Sequence, residues 1–545
     1  MQSVKSTSHH TRLVADWQSL MRTFILPAQD ASRDTLVKYM EQILFGLHGF
    51  LKAHVGITEE VSLKKLAEDY TDTLITQDPE KKLGDVITGL IKDIAPHAVN
   101  VASPYFIGHM TSAIPFFMVH LKTIVAALNQ NVVKLETSKV VSVVEKQVLA
   151  KIHRLIYAFS EDFYATHVQS VDTALGCFVE DGTLANITAL WVARNQLFPP
   201  KAGFAGISTQ GVAAAHDAYG VERCVVLVSR LGHYSLKKAG GVLGLGSDNI
   251  IAIDADQDNR IDLNHLTSTL NQLQQHGSIK VMAIVGIAGT TETGTVDPLK
   301  AMARICAEHQ IHFHVDAAWG GPTLLSQRYR PLLEGIQKAD SVTIDGHKQF
   351  YMPMTCGMVY FKNPFDLDSI SYHANYVNRP GTPDLGIKSI SGSREASSLI
   401  LDSALKIMGS RGYALLIEHG IETAHAFAEE IVKRPAFQLV SSPQLNILTY
   451  RFCPPAWQEK LITCDAATCA KLNQQLNAGN IRIQRLQREA GNSFVSRTIL
   501  RAPQLAPIDI VVLRCVIMNP LTTPEILNAI LDEQTAIGMD VFDGA

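Results

Sequence analysis

Two segments of the sequence deliver an acid and an amine to comparable places. The apolar run "IHFHVDAA" ends around Asp316, and about one βα unit later "SVTIDGHK" ends on His347 and Lys348. Each run reads as a buried strand with an ionisable group at its exit. Open α/β sheets gather their chemistry at the carboxyl ends of parallel strands. There an amine can condense with a cofactor aldehyde, while a carboxylate keeps a pyridine nitrogen protonated, so that the ring becomes an electron sink. The pair is what a pyridoxal phosphate site needs. Taken singly, Asp316 would read as a helix cap and Lys348 as a solvated charge. Their shared position at successive strand exits favours the chemistry.

The elements that must position them follow from the pattern. Residues 1–103 read as a helical N-terminal segment, with apolar residues at helical spacing in "TLVKYMEQILFGLHGFLKAH" and "GDVITGLIKDIAPHAV" and a stop at Pro96. From 104 to 400, short β-branched runs such as "CVVLVS" and "KVMAIVGIAG" alternate with amphipathic helical stretches. That alternation predicts an α/β domain: a mainly parallel sheet with helices on both faces. From 401 to 545 the texture changes to a long helical segment, several strands and a last helix, which reads as a small α+β domain.

Further polar groups sit at the strand exits. "CFVEDGTLANITALWVARN" is a strand, a turn with Gly182 and Thr183, and a helix. Amides and dipole at such a helix start favour a phosphate dianion. Asp181 brings a negative charge to the same turn, and Leu184 an apolar side chain. His233 follows another strand, as do Thr290 and Thr291. Arg514 interrupts the apolar strand "DIVVLRCVIMNP", where a cation needs an anionic partner, and a bidentate substrate carboxylate would serve. The polar, Pro- and Gly-containing stretch "PFDLDSISYHANYVNRPGTPDLGIKSISGSR" lacks periodicity and reads as a lid.

"HVDAAWGG" together with "SVTIDGHK" resembles the group II pyridoxal-phosphate amino-acid decarboxylases, and the resemblance runs from about Ser103 to Pro520. It implies the fold-type I transferase architecture, with a seven-stranded sheet. It implies Lys348 as the covalent anchor, Asp316 on the pyridine nitrogen, His233 stacked on one ring face and Ala318 on the other. Gly182, Thr183 and His347 would serve the phosphate, and Thr290 and Thr291 would lie near the cofactor and the substrate carboxylate. "LRCVIMNP" is similar to the segment whose arginine takes the α-carboxylate, which maps onto Arg514. "HANY" is similar to the lid segment whose tyrosine protonates Cα, which maps onto Tyr376. "SPYFIGHMTSAIP" resembles the pocket segment of glutamate decarboxylases, with His109 in place of their glutamine, and Thr111 and Ser112 as hydroxylic positions. Asn131, with Asn129, adds polar lining suited to an acidic substrate. Within the family the chain is most similar to the aspartate 1-decarboxylases related to glutamate decarboxylase. The resemblance therefore implies conversion of aspartate to β-alanine, with glutamate to 4-aminobutyrate as the alternative. It also implies a homodimer.

Composition excludes other classes. The net charge of −4 over 545 residues argues against nucleic acid or an anionic membrane as the main partner. No uncharged apolar run reaches the length of a membrane span, and "MQSVKSTSHHTRLVADWQSL" lacks the apolar core of a signal peptide. Eight cysteines are scattered, with Cys464 and Cys469 the only close pair, so reduced thiols in the cytoplasm and no metal site are expected. Three rivals remain: an aminotransferase of the same fold, a catalytically silent regulatory relative, and a nucleotide-binding α/β protein. Against the last, no G-x-G-x-x-G or Walker-type turn follows a strand in the sequence.

Overall fold

A computed structural model describes residues 16–18, 30–52, 55, 63–374 and 381–543. Packing divides the chain into two compact units, one of Met1–Phe106 with Arg485–Phe494 and one of Ile107–Gln484 with Val495–Ala545. In the first unit the described elements are helical, chiefly Asp30–Lys52 and Leu83–Gly89, and Phe106 stacks on Phe494 with ring centroids 5.1 Å apart.

The second unit is built on a seven-stranded sheet. In chain order its strands are β1 (Gly176–Val179), β2 (Arg223–Ser229), β3 (Ile250–Ile253), β4 (Ile279–Ile287), β5 (His312–Asp316), β6 (Ser341–Asp345) and β7 (Gly357–Phe361). Their spatial order is β1-β7-β6-β5-β4-β2-β3. Strands β2 to β6 pair in parallel, and β7 runs antiparallel to both of its neighbours. The expected α/β class is borne out, with one reversed strand that the pattern did not announce.

Alternation along each strand feeds two cores, because successive side chains point to opposite faces. Val225 and Leu227 of β2 join one cluster, which includes the helices Val140–Tyr157, Leu263–Gln275 and Leu299–His309. Cys224, Val226 and Val228 join the other, with the helix Gly182–Leu197. On β5 and β6 the second face is polar. His312, His314 and Asp316 alternate with the core residues Phe313 and Val315, and Ser341, Thr343 and Asp345 alternate with Val342 and Ile344. A buried polar seam therefore lies on the helix side of the sheet centre.

A second, antiparallel sheet follows, with β8 (Phe437–Ser441), β9 (Ile447–Phe452), β10 (Ser496–Leu500) and β11 (Ile510–Val516) in the order β10-β11-β9-β8. It lies in the same unit as the large sheet. Trp319 Nε1 donates to Asn446 Oδ1 at 2.9 Å, and Arg514 reaches the backbone beyond β4. The preceding helix, Ser397–Lys433, is broken at Gly409, whose φ of +63° combined with a ψ of 176° only glycine adopts cheaply.

Candidate active site

A cavity of about 420 Å³ opens at the carboxyl ends of β2, β4, β5 and β6. Asp316 is the last residue of β5, and Lys348 follows Asp345, the last residue of β6, by three positions. Both line the cavity, as do His233 beyond β2 and Thr291 beyond β4. Arg514, on β11, closes it from the second sheet, and His109 and Thr111 enter from the loop ahead of the helix Phe116–Leu128.

The acid and the amine are both held. Asp316 is buried and accepts from Asn186 Nδ2 at 2.9 Å and from the Ala318 amide at 3.1 Å. Lys348 Nζ lies 3.0 Å from Oδ2 of Asp345, a buried carboxylate whose Oδ1 has no partner. Burial pushes the Asp345 carboxyl above its ordinary range, against the pull of Lys348 and His347. Asp345 was not singled out from sequence. Its signal is an acid closing an all-buried strand, three positions before the lysine.

His233 Nδ1 accepts from the Ser235 amide at 3.3 Å and lies 2.8 Å from its Oγ. The imidazole proton is thereby assigned to Nε2. Burial lowers the His233 pKa, partly offset by Asp316 and reinforced by Lys348, so the ring is held neutral. His347 also lines the cavity, with Nδ1 2.8 Å from the Cys356 carbonyl.

At the other end of the cavity, Gly182 and Thr183 start the helix Gly182–Leu197. Asp181 is its N-cap, and the carboxylate accepts from the Leu184 amide at 2.9 Å. Asp181 thus has a structural task as helix cap and also lines the cavity. A Cβ built on Gly182 would stand 2.9 Å from Asp345 Oδ2. Gly182→Ala is expected to weaken cofactor binding about tenfold and to cost about 1–3 kcal/mol of stability by overpacking. Absorbance titration and thermal unfolding check this. Alanine is otherwise the better helix former, so any loss reports the close approach.

Arg514 is buried and mostly engaged. Nε donates to the Thr291 carbonyl at 2.6 Å, and Nη1 to the Gly108 carbonyl and Ser496 Oγ, each at 3.3 Å. Nη2 has no partner. The bidentate grip expected from sequence is corrected: only Nη2 remains for a carboxylate. Burial lowers the Arg514 pKa to about 10, with Glu292 opposing the shift. Glu292 is itself pushed up by burial, and its Oε2 is unpartnered. His109 Nδ1 lies 3.3 Å from Thr111 Oγ1, and burial, Arg514 and Lys348 together lower its pKa.

Three expected residues are placed elsewhere, and these assignments are corrected. Thr290 is buried and turned into its own loop, bonded to Thr293 Oγ1 at 2.7 Å, and does not line the cavity. Asn131 is spent on Ser393 Oγ and on the amides of Val133 and Arg394. Ser112 is buried outside the lining with its Oγ unpartnered. Asn129 ends a helix in the left-handed conformation. Tyr376 lies outside the described residues.

A family model described as the pyridoxal-dependent decarboxylase conserved domain matches residues 66–453. The chain belongs to the pyridoxal-dependent decarboxylases. It is 44% identical over 524 residues to an aspartate 1-decarboxylase of Aliivibrio fischeri, covering 96% of this chain and 95% of that one. It is 28% identical to an L-2,4-diaminobutyrate decarboxylase of Rhizobium meliloti, covering 84% and 83%. Crystal structures of mouse CSAD in apo form (TM-score 0.77, 23% identity, 92% of this chain and 99% of that one) and of Oryza sativa TDC with PLP and tryptamine (0.79, 16%, 95% and 99%) share the fold. The enzyme is thus a carboxy-lyase of the family, a pyridoxal-phosphate-dependent amino-acid decarboxylase of the fold-type I architecture.

The residues present fit the cofactor: an amine and a hydrogen-bonded carboxylate at neighbouring strand ends, a helix N-terminus, and two buried polar atoms, Arg514 Nη2 and Asp345 Oδ1, without protein partners. Among the described residues no helix is long and apolar enough to cross a membrane, and no group of three or more His, Cys, Asp or Glu side chains could hold a metal ion.

Proposed function

We propose that the enzyme removes the α-carboxyl group of L-aspartate, giving β-alanine and carbon dioxide. The observation that carries this reading is the 44% identity, over 96% of the chain, to the Aliivibrio fischeri aspartate 1-decarboxylase. Pyridoxal phosphate, when bound, accepts the electron pair that the departing carbon dioxide leaves at Cα. Lys348 holds the cofactor, Asp316 faces its pyridine nitrogen, and His233 and Ala318 confine the ring. Gly182, Thr183 and His347 serve its phosphate.

Arg514 presents Nη2 to one substrate carboxylate, and Thr291 supports it through the carbonyl that fixes Nε. His109 and Thr111 offer hydrogen bonds to the second carboxylate, which a catechol or indole ring would leave unused. Tyr376, in the lid sequence, returns a proton to Cα, and that separates decarboxylation from transamination.

The same reading makes the enzyme a cytoplasmic homodimer. Eight free cysteines fit a reducing compartment. Phe116 and Ile124, on one helix, and Val140, at the start of another, are exposed apolar residues that a second subunit would cover.

Purified enzyme should be supplied with pyridoxal phosphate and, separately, with L-aspartate, L-glutamate, L-2,4-diaminobutyrate and aromatic amino acids, and the amines quantified. Aspartate is expected to be preferred over glutamate about tenfold or more in kcat/KM, the usual value of one methylene in a pocket. Preference for glutamate or a basic substrate would overturn the assignment. A requirement for a keto acid would make the enzyme an aminotransferase.

A further inference from the structure

The polar seam between β5, β6 and the helix Gly182–Leu197 has a direction. Asn186 Nδ2 lies 2.9 Å from Asp316 Oδ2 and 3.0 Å from Ser235 Oγ, so both amide protons are committed. The carboxylate fixes the rotation of that amide, because the opposite rotamer would turn a carbonyl against it. Asn186 Oδ1 then needs a donor, and His314 Nε2 stands 3.0 Å away. His314 Nδ1, 2.9 Å from Ser341 Oγ, must accept the hydroxyl proton. Ser341 Oγ in turn accepts from His312 Nε2 at 2.8 Å. His314 is fully buried, and burial pulls its pKa down to about 4, so the imidazole is neutral, as this assignment requires.

From His312 onward each link of the row therefore donates toward Asp316, while the second Asn186 proton goes to Ser235. The fold brings the members together: His312, His314 and Asp316 occupy alternate positions of β5 and face the same side, Ser341 of β6 pairs with His314, and Asn186 lies one helical turn beyond Gly182. A buried row of this kind either satisfies all its members or destabilises the site.

We infer that His314 and Asn186 are positioning residues for the cofactor. His314 locks the Asn186 amide, and the locked amide fixes the rotation of the Asp316 carboxylate that meets the pyridine nitrogen. His314 lies outside the cavity lining, and Asn186 reaches the cavity beside Asp316. Cutting the row at His314 leaves Asn186 Oδ1 buried without its donor, so the amide shifts to find one and its hold on the carboxylate weakens. The inference rests on the family's cofactor and not on which amino acid is the substrate.

Three variants separate this role from packing. His314→Leu keeps bulk and removes both nitrogens. His314→Gln places an amide nitrogen where Nε2 stood, so it can still donate to Asn186. Ser341→Ala deletes one hydroxyl from the middle of the row. Each apoprotein is titrated with pyridoxal phosphate, following absorbance and protein fluorescence, and its thermal unfolding is recorded. His314→Leu is expected to bind the cofactor at least about tenfold more weakly, the scale found for partners that orient a ligating group. Its kcat should fall while KM for the amino acid changes little. His314→Gln is expected to recover most of the affinity, and Ser341→Ala to show a loss of about threefold or more. Wild-type affinity and kcat in a folded His314→Leu, or equal losses in the Leu and Gln variants, would overturn the inference. Should His314→Leu fail to fold, Ser341→Ala decides: unchanged cofactor affinity there refutes the directed row.

Discussion

Lys348→Ala is expected to lose decarboxylation by about 10,000-fold or more and to lose the near-visible absorbance of covalently held cofactor. The size follows from two losses: the amine that holds the cofactor, and a cation beside a buried acid. Lys348 Nζ is 3.0 Å from Asp345 Oδ2, and Asp345 Oδ1 already lacks a partner. Without the ammonium that acid is left uncompensated, and it will take up a proton, in the direction burial already pushes it. Part of the damage could therefore be structural. Lys348→Arg separates the two. A guanidinium keeps a cation beside Asp345 but cannot condense with an aldehyde. Wild-type thermal stability with no absorbance band and no activity is the expected result for it. A band or appreciable turnover in either variant would remove Lys348 from its role.

Arg514→Lys should lower kcat/KM about 100- to 1,000-fold, mostly through KM, while cofactor absorbance stays unchanged. The charge survives the substitution, but the fork does not. Nε and Nη1 hold the side chain on Thr291, Gly108 and Ser496, so the free Nη2 is presented at a fixed place. A lysine must choose between those carbonyls and the substrate. Arg514→Ala should be worse, since the Thr291 and Gly108 carbonyls lose their donor as well. Steady-state kinetics on the preferred substrate, with the cofactor spectrum as a control, measures both. An unchanged KM in Arg514→Lys would show that the substrate carboxylate binds elsewhere.

The outline of the sheet was legible because β-branched runs and amphipathic helices alternate, and Asp316 and Lys348 because chemistry collects at strand exits. The reversal of β7 was not, since the run "GMVYF" carries burial but no direction. Strand exits also misled. Thr290 and Thr291 are adjacent, and the turn through Thr293 and Thr295 decides which one faces the cavity. That choice is made by backbone geometry, to which a pair of threonines is indifferent. Asn186 was passed over inside "TLANITAL", although an amide on the buried side of an otherwise apolar helix must find partners. His314 sits inside an apolar strand run, and only its spacing of two from both His312 and Asp316 shows that the three share a face. The kink at Gly409 has its signal in the glycine itself, set inside a sequence otherwise continuous in helical period.

Strand β1 bonds only to β7, whose residues lie about 180 positions later in the chain. The turn at Gly182 follows β1 directly, so the strand that leads into the phosphate end of the site stays unpaired until residues 357–361 have been made and have folded back. Such a closure is slow, because the entropy of a long loop is lost before the contacts that repay it form. A ribosome-bound chain that has emerged only through β6 already carries Asp316 and Asp345, while β1 still lacks its partner strand. Completion of that end of the site is in this sense timed by the arrival of one reversed strand.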